Sequence, residues 1–147
     1  MARWIGIDYG KRRIGVAVGD PGEVIASPAT TLDGTGTASR DARVVLEWAA
    51  ENEAAGIVVG LPMNMDGTIG PQAKLSQDFA AQLEKHGNLT VELWDERLSS
   101  FQADQIMRDA GVRRSRQKKQ RDALAAQVIL QSFLDARRPK AKTEDGS

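Results

Sequence analysis

Apolar residues begin the chain in short runs and alternations typical of strands, and recur later at helical spacing. Arg3 to Asp8 is apolar and β-prone. Gly10, Lys11 and Arg12 offer a tight turn, and Ile14, Val16 and Val18 alternate with small residues, so the pair reads as a hairpin. A third strand fits Glu23 to Thr31, after the turn at Pro21 and Gly22, and completes a meander. A polar, Gly- and Thr-rich link from Asp33 to Ser39 leads to a helix whose apolar stripe is Val44, Val45, Trp48 and Ala49. The run "GIVVG", Gly56 to Gly60, is too short for a helix and has no polar face, which predicts a central strand buried on both sides. A loop then leads to a helix carrying Leu75, Phe79 and Leu83 and ending at His86 and Gly87. Leu89 to Trp94 reads as strand five. The helix after Leu98 carries Ile106 and Met107 and is expected to stop at Gly111; a basic segment follows, and the last helix is expected from about Asp122 to Ala136.

The order is three strands, helix, strand, helix, strand, helices. Right-handed crossovers turn it into an α/β domain with a mixed five-stranded sheet, strand two antiparallel and helices on both faces, and the strand order is taken as 3-2-1-4-5. The ends of strands one, four and five then share one edge, where open α/β sheets place their sites.

Composition narrows the picture. With 147 residues the chain fits one domain, and no internal repeat is present. That domain is expected to span residues 1–138, with Pro139 and "KAKTEDGS" as a disordered tail. Twenty basic residues balance twenty acidic ones, so a case for a polyanionic partner has to come from local clustering. The absence of cysteine removes thiolate nucleophiles and Cys-ligated zinc and fits a reducing cytoplasm. No apolar run approaches the length of a bilayer span, so no membrane partner is expected.

Three carboxylates stand out. Asp8 ends strand one near the sheet centre. It could be a turn-former capping Tyr9 and Gly10, but a bare carboxylate beside buried strands suffers desolvation unless a cation meets it. Glu96 closes strand five in "LWDERLSS", two strands from Asp8, or about 10 Å at roughly 4.8 Å per strand. Its reach allows metals to sit between the two; the plain alternatives are a pair with Arg97 or a charge at a helix start. Asp122 precedes Ala126, Ile129 and Phe133 at steps of four, three and four, so it shares the stripe that must face the sheet. A helix-dipole role explains an acid in the first turn but not one on the buried face. Asp20, Asp33 and Asp95 are weaker candidates by edge, strand or parity; Asn64 and Asp66, after strand four, are accessory candidates.

Basic residues cluster near two of these acids. Lys11, Arg12 and Arg13 follow Asp8, and Arg113, Arg114, Arg116, Lys118, Lys119 and Arg121 lead into Asp122 with no acid between. Such a run is usually a solvated face; leading into a candidate catalytic acid, it favours phosphate-backbone contact, with Arg97 added beside Glu96. Two divalent cations about 4 Å apart activate water and neutralise a leaving oxygen, and oxygen-only ligands select Mg2+ or Mn2+. His86 reads as a charge at a helix C-terminus.

On "IGIDYGKRRIGVAVGD", "IVVGLPMNMDGT", "DERLSS" and "DALAAQVILQSFL", in order up to about Leu134, the chain resembles the YqgF (RuvX) family. The resemblance implies a ribonuclease H-like fold. That family is described both as pre-16S rRNA nucleases processing the 5′ end of the small-subunit precursor and as Holliday junction resolvases, which implies structured RNA or branched DNA as partner. Carried over, it points to Asp8, Glu96 and Asp122 as catalytic, metal-binding acids of an endonuclease. A resolvase would also imply a homodimer. Two positions depart from the pattern. RuvC-type resolvases have an acid at the end of strand four, where this chain has Gly60, Leu61 and Pro62; and Arg121 stands before the helical acid where the family is usually apolar. Two other classes compete. An actin- or hexokinase-like ATPase shares the strand-hairpin start but needs a second domain and a second phosphate loop; a non-catalytic RNA-binding assembly factor would not need three acids at matching places.

Overall fold

The computed structural model describes residues 3–98, 100–113 and 118–137, with the side chains of 110–121 outside that description. Its elements are β1 (Trp4–Tyr9), β2 (Arg13–Gly19), β3 (Ala26–Asp33), α1 (Ala38–Glu51), β4 (Gly56–Leu61), α2 (Pro71–His86), β5 (Thr90–Asp95), α3 (Phe101–Arg113) and α4 (Lys118–Arg137). The strands run in the order β3-β2-β1-β4-β5. Strand β2 is antiparallel to β1 and β3, whereas β1, β4 and β5 are parallel, as the ribonuclease H-like expectation requires.

Alternation along the strands divides the core in two. Ile5, Ile7, Tyr9, Ile14, Val16, Ile57 and Val59 pack under α1 and α2, against Val45, Ala49, Phe79 and Leu83. The opposite parity sends Trp4, Ala17, Ala26 and Val58 under α4, against Ala126, Ile129, Leu130 and Phe133. Asp8 is on this second face, two residues beyond Gly6. Gly6 and Gly15 let α4 lie close: a β-carbon at Gly6 would stand 2.7 Å from Leu130 Cβ, and one at Gly15 would overlap the Asp122 carbonyl. Gly15 pairs with Asp8 across the hairpin, so the same contact fixes the height of α4 beside that acid.

Three boundaries differ from expectation, each for a physical reason. Strand β3 starts at Ala26, because Asp20 Oδ1 accepts bonds from the backbone N–H of Val24 and Ile25 at 2.8 and 2.7 Å and holds those residues in the turn. Helix α3 continues through Gly111 to Arg113; its expected apolar stripe is only partly used, with Met107 55% exposed, since α3 packs chiefly on α4, where Gln131 Nε2 donates to Gln102 Oε1. Helix α4 begins at Lys118, so Asp122 is its fifth residue and lies beyond the first turn, where the helix dipole acts. The expected tail at 139–147 lies outside the described residues. Among the described residues no helix is long and apolar enough to cross a membrane.

Candidate active site

Asp8, Glu96 and Asp122 all line one cleft of about 510 Å³ at the ends of β1, β4 and β5. Asp8 arrives on the central strand, one step beyond the Ile7–Val59 pair that joins β1 to β4. Glu96 extends β5, its N–H donating to the Leu61 carbonyl at 3.1 Å. The segment behind it is tied to α4: Trp94 Nε1 donates to Ser132 Oγ, which donates to the Leu98 carbonyl. Asp122 descends from the buried stripe of α4, where Ala126, Ile129 and Phe133 are at most 5% exposed.

The missing acid at the end of β4 has a structural explanation. Gly60 stands between Asp8 and β5, and a β-carbon there would lie 2.5 Å from Glu96 Oε2. The space of a strand-four side chain is therefore shared by the Ile129 side chain of α4 and the Glu96 carboxyl group, which reaches inward although the residue as a whole is exposed. A glycine on β4 and a long acid on β5 together deliver a carboxylate next to Asp8.

The electrostatics follow from that crowding. Burial, and then the Asp122 charge, push Asp8 up to about 6. Burial, then Asp8 and Asp95, push Glu96 up to about 7. Asp122 has a cation as partner: Arg13 Nε donates to its Oδ2 at 2.7 Å. Among the described residues no group of three or more His, Cys, Asp or Glu side chains stands close enough together to hold a metal ion. The structure brings the three acids into one cleft without closing them into one cluster, and Asp122 is paired with Arg13 there. The donor set nevertheless fits a hard divalent cation, being all carboxylate oxygen with two members destabilised as anions.

The supporting residues include several that pattern alone did not indicate. Tyr9 OH donates to Asp41 Oδ2 at 2.6 Å, and Asp41, fully buried, also accepts from Thr35 N and Oγ1. Burial and that bond raise the Tyr9 pKa well above its ordinary value, so it stays a phenol. The Thr35 link carries Gly34, whose N–H donates to the Arg12 carbonyl at 2.7 Å and holds the Lys11–Arg12 turn at the cleft. Gln72 and Pro62 also line the cleft, Gln72 Nε2 donating to the Tyr9 carbonyl. The only hint of Gln72 was its place after Pro71 in the first turn of a helix.

The other candidates are placed as follows. Lys11, Arg12 and Arg13 line the cleft. Arg97 pairs with Asp95 at 2.7 Å rather than with Glu96, which leaves Glu96 without the ordinary partner its position suggested. Asn64 and Asp66 bond Thr68 within their own turn and are not among the cleft-lining residues. His86 ends α2, its Nε2 3.2 Å from Gln82 Oε1. The side chains of Arg113, Arg114, Arg116, Lys118, Lys119 and Arg121 lie outside the described residues.

The raised carboxyl groups set a pH dependence. Asp8 and Glu96 hold protons in the folded chain that the unfolded chain has lost above their ordinary values of 3.8 and 4.5. Their contribution to metal-free stability therefore falls as pH rises through roughly 4 to 7, then levels. For half-buried Asp8 the change is on the order of 2 kcal/mol, allowing for partial exposure. Thermal melts in EDTA are expected to show Asp8→Asn gaining on the wild type across that window. A constant difference between the two would contradict the assignment.

The sequence profile of the RuvX family, described as Holliday junction resolvase, matches residues 2–136. A relative from Anaeromyxobacter dehalogenans, named "Putative pre-16S rRNA nuclease", is 47% identical over 137 residues, 93% of this chain and 99% of that protein. One from Chloroflexus aggregans with the same name is 43% identical over 134 residues, 91% of this chain and 94% of its own. Among solved structures, RuvC of Thermus thermophilus in complex with a Holliday junction substrate aligns with a TM-score of 0.59 at 14% identity, covering 93% of this chain and 96% of that one. That likeness shows the fold, which is ribonuclease H-like.

Proposed function

The chain belongs to the RuvX family, and from that premise we propose that it is a metal-dependent endonuclease that processes the 5′ end of precursor 16S ribosomal RNA. The observation that carries the reading is the cleft itself: two carboxyl groups raised first by burial and then by neighbouring acids, Asp8 by Asp122 and Glu96 by Asp8 and Asp95, at the strand ends of a ribonuclease H-like sheet. Repulsion of this kind is relieved by a cation, and a site that only stabilised the fold would not assemble it.

Asp8, Glu96 and Asp122 would hold two divalent cations, Mg2+ or Mn2+. When bound, these supply an activated water and neutralise charge on the leaving oxygen. The chain's own residues do the rest. Asp8 is held on the rigid central strand; Glu96 reaches it over Gly60; Lys11 and Arg12, braced by Gly34, meet the phosphate backbone and set the strand in the cleft without reading its sequence. Arg113, Arg114, Arg116, Lys118 and Lys119 extend that contact in the same reading.

Replacing Lys11 and Arg12 together by Ala is expected to weaken binding to every nucleic acid to a similar degree. The slope of log affinity against log salt should shrink by about 1.5, from two lost phosphate contacts. An unchanged slope would return both cations to the role of solvated surface charges.

Resolution of four-way DNA junctions is the second reading, favoured by the description of the family. Paired cuts need two sites related by a two-fold axis, hence a dimer on the junction. The decisive experiment gives the purified protein a precursor rRNA leader and a mobile junction under identical conditions with Mn2+ or Mg2+, while its mass in solution is measured. Cleavage of the RNA by a monomer is expected. Symmetric paired nicks in the junction by a dimer, with the RNA intact, would reverse the order of the two readings.

A further inference from the structure

We infer that Arg13 is a latch on Asp122: in the metal-free protein its guanidinium occupies the carboxylate that metal loading must recruit, and loading releases that guanidinium toward the substrate phosphate. This rests on the reading of Asp122 as a metal ligand given above.

The geometry begins with the strand. Arg13 opens β2 on the same face as Gly15 and Ala17, the face that α4 covers. Its Nε reaches Asp122 Oδ2 at 2.7 Å, with the two side chains 39% and 24% exposed, so the pair is reachable from the cleft. A purely structural pin for α4 is not needed here. The backbone of Asp122 already rests on Gly15, and Ala126 and Leu130 rest on Gly6, so packing fixes the helix with or without the ion pair.

The charges around the pair also distinguish it. Asp8 and Asp122 lie close enough to repel, and Glu96 stands on the far side of Asp8. Arg97 is committed to Asp95 and offers these acids nothing. Among the described residues Arg13 is the cation with an ion pair to one of the three acids, and the acid it holds is the one the other two need in order to complete a metal site. A divalent cation competes for the same oxygen. A substrate phosphate competes for the same guanidinium, which makes metal and nucleic acid mutually assisting ligands.

Mn2+ affinity, read by titration calorimetry on folded protein, tests the latch directly. Arg13→Gln is expected to bind Mn2+ about fivefold more tightly than the wild type, since the competent form no longer has to break the pair. Arg12→Gln, which removes the same charge one residue away in the exposed turn, serves as the control and is expected to change affinity by less than half as much on a logarithmic scale. The Arg13 Nε–H resonance gives a second readout: protected from exchange in EDTA, it should become exchangeable on adding Mg2+, and in metal-free Asp122→Asn it should be exchangeable from the start. Equal tightening by both Gln variants, weaker binding by Arg13→Gln, or a resonance indifferent to Mg2+ would overturn the latch while the nuclease reading stands. Failure of the wild type and Arg13→Gln alike to bind Mn2+ would remove both.

Discussion

Asp8→Asn, Glu96→Gln and Asp122→Asn are each expected to abolish cleavage, by roughly three orders of magnitude or more, or about 4 kcal/mol of transition-state stabilisation. The neutral isosteres keep the shape of the cleft and lose the charge that would hold a divalent cation. Their stabilities should separate while their activities do not. In EDTA at neutral pH, Asp8→Asn and Glu96→Gln are expected to raise the melting temperature, because each removes a carboxyl group that burial and its neighbours push up. Asp122→Asn gains no such increase, since it also loses the bond from Arg13. Single-turnover cleavage in Mn2+ beside melts in EDTA checks both halves. Near wild-type turnover in any of the three would exclude that residue as a ligand.

Gly15→Ala is the second large effect, and it acts without touching a charge. Its β-carbon would overlap the carbonyl of Asp122, which belongs to helix backbone and cannot rotate away. Helix α4 must lift from β2, with an overpacking cost of about 1–3 kcal/mol and a fall in melting temperature of several degrees. The same movement carries Asp122 away from Asp8, so cleavage should drop at least about tenfold, even in the fraction that remains folded, with all three acids intact. Calorimetric melts paired with turnover per folded molecule measure it. Wild-type values for both would show that α4 does not depend on this contact for its height over the sheet.

Much of this architecture was legible in the chain. The hairpin alternation of Ile14, Val16 and Val18, the two-sided apolar run at Gly56 to Gly60 and the crossover rule together predicted the mixed five-stranded sheet, because alternation and handedness are local properties of the backbone, and the order taken for its strands is the one observed. The stripe joining Asp122 to Ala126, Ile129 and Phe133 was legible for the same reason: side chains at those steps share a face wherever the helix packs. Local rules failed at boundaries. Strand β3 begins late because the Asp20 carboxylate outbids the sheet for two backbone donors, and Gly111 does not end α3.

The sequence by itself determined the mixed five-stranded sheet, the edge where the site lies and the three acids that reach it. Only the tertiary structure decided how those acids are held. That Glu96 shares the space over Gly60 with Ile129, that Arg97 turns to Asp95, that Arg13 takes Asp122 and that the Tyr9–Asp41 bond braces the basic turn are all contacts between residues on different elements, Arg97 with Asp95 excepted. Their distances depend on how high each helix rides above the sheet. That height is set by side chains packed across the whole interface, such as Gly6 against Leu130, and no periodicity along one segment encodes it.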